Sequence, residues 1–425
     1  MEQTLNYPKS RWIVMVANLI CYIAVGTYII MLAPIIGLLS EEFGVTPGQM
    51  SFYGMGLYTI INALAIIGSG MLFDRFGVKP VLMTSVAILV VIALLMPVFS
   101  QTLTGIIIFR VILAVVAGPV AGCLSPLGTA WFPEKERGLY SGVISAGLPI
   151  GITMSLAILG FRLGATHGDW RASLETLTII PVITFIFVVI FLIVTRNVAP
   201  PNVAKEEGTD EKSKLVFSGI VKAPAFWLTI LGFCIFTLCL NSFTDLSPGY
   251  IAIDPPTGLG LGASTASFTS MLTSIGNITG ALFAGVLIDK LFKGKVRTML
   301  IICFLIQAIC VFLTKFSFVT NVLPLFMVVL FLTGFTVMGS SVAFTAFVMM
   351  RFPLAVNGRV FTVSMGAGLL MGAVGVSVSS GMLHATGTYQ MSLLFIAIVA
   401  AIGLVPAALL EKVKVSKDKL IDKAG

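Results

Sequence analysis

The sequence predicts an all-α membrane protein whose twelve transmembrane helices form two six-helix bundles, and three observations carry that prediction. The chain is 57% hydrophobic and only 10% charged over 425 residues. Its mean hydropathy is +1.05, more apolar surface than a water-soluble core of that size can hide. Mostly apolar windows of about 18 residues or more, the length that crosses a hydrocarbon layer of ~30 Å, recur twelve times. They lie near 12–38, 50–72, 80–99, 104–130, 138–160, 172–195, 224–248, 265–289, 297–314, 321–348, 358–383 and 388–410. The two halves also repeat. Gly70, Asp74 and Arg75 find counterparts in Gly285, Asp289 and Lys290, 215 residues on, and the same interval pairs Trp12 with Trp227 and Asn62 with Asn277. Phe132-Pro133 with Gly138 recurs as Phe352-Pro353 with Gly358 at an interval of 220. One half is a diverged copy of the other.

Charge tests the count, because an even number of spans must alternate basic and non-basic loops. With both termini placed in the cytoplasm, all but four of the 26 Lys and Arg residues fall on that side, the exceptions being Arg110, Arg162, Arg171 and Lys315. The net charge of +8 is then a topology signal and no evidence for nucleic acid. A multi-pass protein of a bacterial inner (plasma) membrane is expected. The stretch from Arg196 to Lys222 holds Pro200-Pro201 and a mixed charge run from Lys205 to Lys214, the composition of a solvated linker. It divides the chain into an N-terminal bundle (1–195), a cytoplasmic linker (196–222) and a C-terminal bundle (223–425) with a short basic tail. The apolar stretch after Lys9 and Arg11 is too long for a signal peptide and is read as the first span, retained.

These residues resemble the major facilitator superfamily over nearly the whole chain. The run from Gly70 to Lys79, with Asp74, Arg75 and Gly77, is similar to that family's loop signature between helices 2 and 3, although Val78 stands where a basic residue is usual. Gly285 to Lys290 is the shorter second-half version, Arg110 matches the family's helix-4 arginine, and Trp131-Phe132-Pro133 with Arg137-Gly138 resembles its approach to helix 5. The resemblance implies two bundles that rock about a central cavity. It further implies a cytoplasmic latch of Gly70, Asp74, Arg75, Gly77, Lys79, Arg137, Gly285, Asp289 and Lys290. In it Asp74 docks at the N-terminus of helix 11, where the helix dipole attracts an anion, and Asp289 makes the symmetric contact near the start of helix 5. Gly70 is small so that helix 11 can approach. The plainer reading of Asp74 is a helix-end charge that reaches the headgroups.

Within the spans the polar inventory is short. Arg110 lies roughly 9 Å inside the outer end of span 4, and an intramembrane arginine is costly enough to suggest a purpose. It is either a substrate or coupling group or a structural arginine bonded to carbonyls of helix 1. Asp245, near the outer end of span 7, is the one carboxylate placed beyond the first turn of a span. It reads either as a proton-coupling group or as a helix end ahead of Pro248. Tyr58 and Asn62, four apart on one helix face, have repeat mates in Thr273 and Asn277. Tyr22, Thr27, Asn241 and Ser341 complete the candidates for substrate contact, against the reading that small polar groups at helix interfaces pack helices together. Gly118-Pro119, Ser125-Pro126 and the Gly147 to Gly151 stretch predict kinks in helices 4 and 5.

The chain lacks a Gly-x-x-x-x-Gly-Lys-Ser/Thr phosphate loop. Its two histidines, His167 and His384, lie far apart, and its six cysteines sit in apolar runs. Neither an enzyme, nor a cofactor, nor a metal is expected. The function expected is secondary active transport of a small organic solute, foremost an organic anion such as a carboxylate, with protons as a coupling partner, by a monomer in lipid. Proton-coupled efflux of amphipathic or cationic compounds and a non-transporting sensor of the same fold are the alternatives.

Overall fold

The computed structural model describes residues 7–32, 35–45, 49–50, 52–166, 169–198, 200 and 219–410. Most of the predicted linker (201–218), the basic tail (411–425) and His167 lie outside the described residues. Twelve principal helices follow one another: α1 Arg11–Ile30, α2 Leu57–Phe76, α3 Val78–Leu94, α4 Leu103–Gly122, α5 Arg137–Ala165, α6 Ile179–Val194, α7 Pro224–Ala252, α8 Gly262–Val286, α9 Val296–Leu313, α10 Leu323–Arg351, α11 Leu354–Thr386 and α12 Tyr389–Ile402. Eleven helical stretches among the described residues are long and apolar enough to cross a membrane. The remaining helix, α3, is shorter at 17 residues and resumes as Met96–Phe99 after a break at Leu95. The protein is a multi-pass integral membrane protein.

Local chemistry explains where the helices stop. The first window was expected to run to residue 38, but α1 ends at Ile30; Pro34 has no N–H to offer the Ile30 carbonyl. A second short helix, Ile36–Phe43, follows and is closed by Gly44 at φ +64°, a left-handed conformation that suits glycine. At the opposite end of α2, Gly77 at φ +79° returns its N–H to the Phe73 carbonyl, which turns the chain directly into α3. Thr102 caps α4 by accepting from the Gly105 N–H at 3.0 Å. Pro248 does not end α7 as expected; the helix runs through it to Ala252. A proline removes one intrahelical bond but does not forbid continuation where packing holds the helix.

By contacts the chain divides into two compact units. Unit 1 comprises residues 1–133, 147–214 and 353–366; unit 2 comprises residues 134–146, 215–352 and 367–425. Unit 1 therefore takes the start of α11, and unit 2 the start of α5. These two exchanged segments are repeat mates to within one residue, since 134–146 shifted by 220 gives 354–366.

Each unit is built on the same helix pair. In unit 1, α2 packs most extensively on α4, where a Cβ on Gly118 would meet the backbone of Ala65 and Ile66. In unit 2, α8 packs most extensively on α10, with Gly276 and Gly280 against the backbone of Phe331 and Phe335, and Gly334 against Thr273. Glycine lets backbones approach where lipid supplies no hydrophobic drive for association. The Gly147 to Gly151 stretch is used the same way: Gly147 lies against Leu19 and Tyr22, and Gly151 against Ile23 and Thr27, so α5 seats closely on α1. At one loop end of unit 1, Arg171 stacks on Trp170, pairs with Glu42 and donates to the Ser100 carbonyl. Three connections are tied together there.

Candidate functional site

The start of α11 and the end of α2 meet in unit 1. Asp74, in the last turn of α2, forms an ion pair with Arg359 in the second turn of α11, and the two side chains are only 14% and 11% exposed. A guanidinium on α11 is thus one partner of the carboxylate. Gly70, one turn earlier, permits the approach: a Cβ there would lie 3.0 Å from the Arg359 Cα. Beside them Ser125, in the helix Leu124–Trp131, donates to Asn357 Oδ1.

The repeat mates of these residues meet in unit 2 with different chemistry. Asp289, in the π-helical turn Leu287–Leu291, accepts from the backbone N–H groups of Gly138 at 3.1 Å and Leu139 at 2.6 Å. Those amides open α5 and have no partner within their own helix, and its dipole favours an anion. Gly285 packs against the Gly138 carbonyl and the Gly142 Cα. Arg137, buried, donates to the Met349 carbonyl at 2.6 Å, one of the carbonyls left open at the end of α10, and lies 3.8 Å from Glu134.

The remaining residues of the expected latch do other things. Lys79 donates to the Thr195 carbonyl at the end of α6 at 3.0 Å and sits 5.2 Å from the Trp131 ring centroid. Arg75 and Lys290 are exposed, Arg75 lying over the Phe76 ring. Sequence reasoning missed Arg359, Ser125 and Asn357 as contact residues. For Arg359 a signal existed, because it is the repeat mate of Leu139 and directly follows Gly358.

Arg110 is fully buried in unit 1. Its guanidinium donates to the Tyr28 carbonyl at 2.7 Å and the Ile29 carbonyl at 3.0 Å, two of the carbonyls that the end of α1 leaves without intrahelical donors. The guanidinium carbon lies 4.3 Å from the Tyr58 ring centroid, a cation–π arrangement. Arg110 Nε and Tyr58 Oη are buried without a hydrogen-bond partner.

Of the other candidates in unit 1, Tyr22 donates to the Ala121 carbonyl, Thr27 to Ile23 at 2.9 Å and Asn62 to Ala114 at 2.9 Å. In unit 2, Thr273 donates within its own helix to Thr269, Asn241 lies against Gly372, and Ser341 is half-buried. Asn277, the mate of Asn62, keeps its buried Oδ1 without a partner. Asp245 is exposed on α7. Arg110, Tyr58, Tyr22, Thr27 and Asn62 thus fall in one unit and Asp245, Asn241, Thr273, Asn277 and Ser341 in the other.

The comparisons with known proteins agree with this architecture. The chain is 28% identical over 298 residues to the uncharacterized MFS-type transporter YhjX of Escherichia coli strain K12, covering 69% of this chain and 70% of that one. It is 23% identical over 291 residues to the uncharacterized MFS-type transporter YfhI of Bacillus subtilis strain 168, covering 66% of each. Among solved structures, the proton:xylose symporter XylE has a TM-score of 0.75 at 15% identity, covering 95% of both chains. The transporter FucP in the outward conformation has a TM-score of 0.75 at 14% identity, covering 95% of this chain and 99% of that one. At such identities the likeness is one of fold. The model of the Major Facilitator Superfamily matches residues 18–255 and 255–424, and the chain belongs to that family of transporters.

Proposed function

We propose that the protein is a secondary active transporter that moves a small organic solute, foremost an organic anion such as a carboxylate, by alternating access. The contacts of Asp74 and Asp289 are its conformational latch on the cytoplasmic side. The observation that carries this reading is the recurrence of an aspartate contact at both repeat positions, each against the start of a helix that the other half of the sequence supplies. A latch of that kind biases an equilibrium by a few kcal/mol at most, as a two-state transport cycle requires. The anion reading is supported by Arg110 Nε and Tyr58 Oη, adjacent buried donors that lack acceptors. An unsatisfied buried donor costs about 1–3 kcal/mol, which a solute oxygen would offset. Asp245 is the proton-coupling group in this reading. The charge pattern supports both termini on the cytoplasmic side; in this reading the membrane is a bacterial inner membrane and residues 196–222 join the two bundles of a monomer.

Counterflow in proteoliposomes tests it. Carboxylates should compete for exchange, Arg110→Lys should abolish exchange while the protein still purifies as a stable monomer, and Asp245→Asn should keep exchange yet lose accumulation driven by a pH gradient. Recognition of cations instead would favour efflux of amphipathic compounds. Binding without any exchange would show a sensor.

A further inference from the structure

Arg110 is buried with its charge uncompensated. Its Nη1 and Nη2 donate to the Tyr28 and Ile29 carbonyls at the end of α1, and Nη2 also lies 3.9 Å from the Met55 sulfur. All three acceptors are neutral, and among the described residues no carboxylate pairs with this guanidinium. An arginine keeps its proton even so, and a buried charge without a counter-ion is costly. Arg110 and Tyr58 are 0% and 2% exposed, yet Arg110 Nε and Tyr58 Oη find no acceptor. The guanidinium stands over the Tyr58 ring, 4.3 Å from its centroid, so the hydroxyl at the rim of that ring and the Nε–H share one patch of unit 1.

On the reading of the protein as an anion transporter, we infer that these two donors together hold the carboxylate of a monoanionic solute. Nε–H takes one oxygen and the Tyr58 hydroxyl the other, which makes Tyr58 a specificity-determining residue. Charge sets the valence: one carboxylate neutralises one guanidinium, whereas a dicarboxylate would bring a second, unmatched negative charge into the same low-dielectric surroundings. Hydrogen bonding sets the division of labour. With Nη1 and Nη2 turned to the α1 carbonyls and the Met55 sulfur, the guanidinium offers its Nε–H rather than a full fork, and the second donor comes from Tyr58. Because both donors are buried, the solute reaches them only when an element beside them gives way. The π-helical turn Phe52–Gly56 carries Met55 and leads directly into α2 and Tyr58, and such turns are common where a helix serves a functional site.

The test uses the full chain in proteoliposomes and two pairs of radiolabelled probes that differ by one carboxylate, gluconate against glucarate and lactate against malonate. Gluconate or lactate should be exchanged and its dicarboxylate partner excluded. Tyr58→Phe keeps the ring under the guanidinium and removes only the hydroxyl. It should raise KM for the exchanged monocarboxylate about tenfold or more, while the maximal rate and the melting temperature hold. An unchanged KM in that variant would overturn the role of Tyr58, and a lowered melting temperature beside it would assign the residue to packing. Exchange of the dicarboxylates in preference to their partners would overturn the monoanion and leave the anion reading standing. Exchange of organic cations with no exchange of any carboxylate would overturn both.

Discussion

Unit 1 and unit 2 hold the same repeat-related contact with different atoms. In unit 1 both partners are side chains: the Asp74 carboxylate meets the Arg359 guanidinium, and Ser125 meets Asn357. In unit 2 the corresponding contacts reach backbone: the Asp289 carboxylate meets two amides, and Arg137 meets a carbonyl besides lying near Glu134. The cause is local, because Leu139 stands where the other half has Arg359 and Arg137 where it has Asn357. A helix end offers an anion its amides whatever its sequence, so the contact forms with leucine at position 139. The backbone geometry is the duplicated property, and the side chains on it have been free to drift.

That comparison can be broken most strongly at its glycines. A Cβ on Gly285 would run into the Gly138 carbonyl and the Gly142 Cα, both backbone, whereas one on Gly70 would meet the Thr362 hydroxyl and, at 3.0 Å, the Arg359 Cα. Overpacking costs about 1–3 kcal/mol when neighbours cannot yield. Gly285→Leu should therefore abolish transport and open the basic-loop side to cysteine labelling, and Gly285→Ala should do more harm than Gly70→Ala. Equal effects of the two alanines would mean that the α11 atoms facing Gly70 yield no more readily than the α5 backbone facing Gly285.

The aspartates come next. Asp74→Asn takes the ion-pair partner from a largely buried guanidinium, at a cost of about 3 kcal/mol. Asp289→Asn keeps one oxygen to accept from an amide and should cost about 1.5 kcal/mol. Labelling from the basic-loop side should rise in both variants, more in the first. Equal labelling would show that the ion pair adds nothing over the amides. Leu139→Arg transplants the unit 1 chemistry into unit 2; combined with wild-type Asp289 it should lower that labelling below the parent level, and no change would place residue 139 out of reach of the carboxylate.

The smallest effect lies at the Glu42 and Arg171 pair. The hydrogen bond from Arg171 holds the Glu42 carboxyl below its usual range. A depressed folded-state value stabilises the fold above the unfolded pKa of about 4.3 and loses that contribution as pH falls through the folded value. Because the pair is partly exposed, Glu42→Gln should lower the melting temperature only slightly at pH 7, by less than about 1 kcal/mol of stability. The variant and the parent should converge once the pH has fallen below the folded value, which lies under the unfolded one, and a difference that persists there would assign the effect to packing.

The sequence by itself determined the class, the number of spans, the duplication and the positions of Asp74 and Asp289. These follow from quantities local to the chain: run length against membrane thickness, charge at loop ends, and identity at a fixed interval. Which partners those aspartates take was decided only by tertiary structure, because Arg359 lies 285 residues from Asp74 and nothing in one sequence states that distance in space. The same holds for Arg110, whose bonds to the Tyr28 and Ile29 carbonyls depend on where α1 stops, and for Asp245, whose exposure on α7 the sequence does not state. A side chain's chemistry is written in its identity, but its burial and partner depend on helices that only packing brings together.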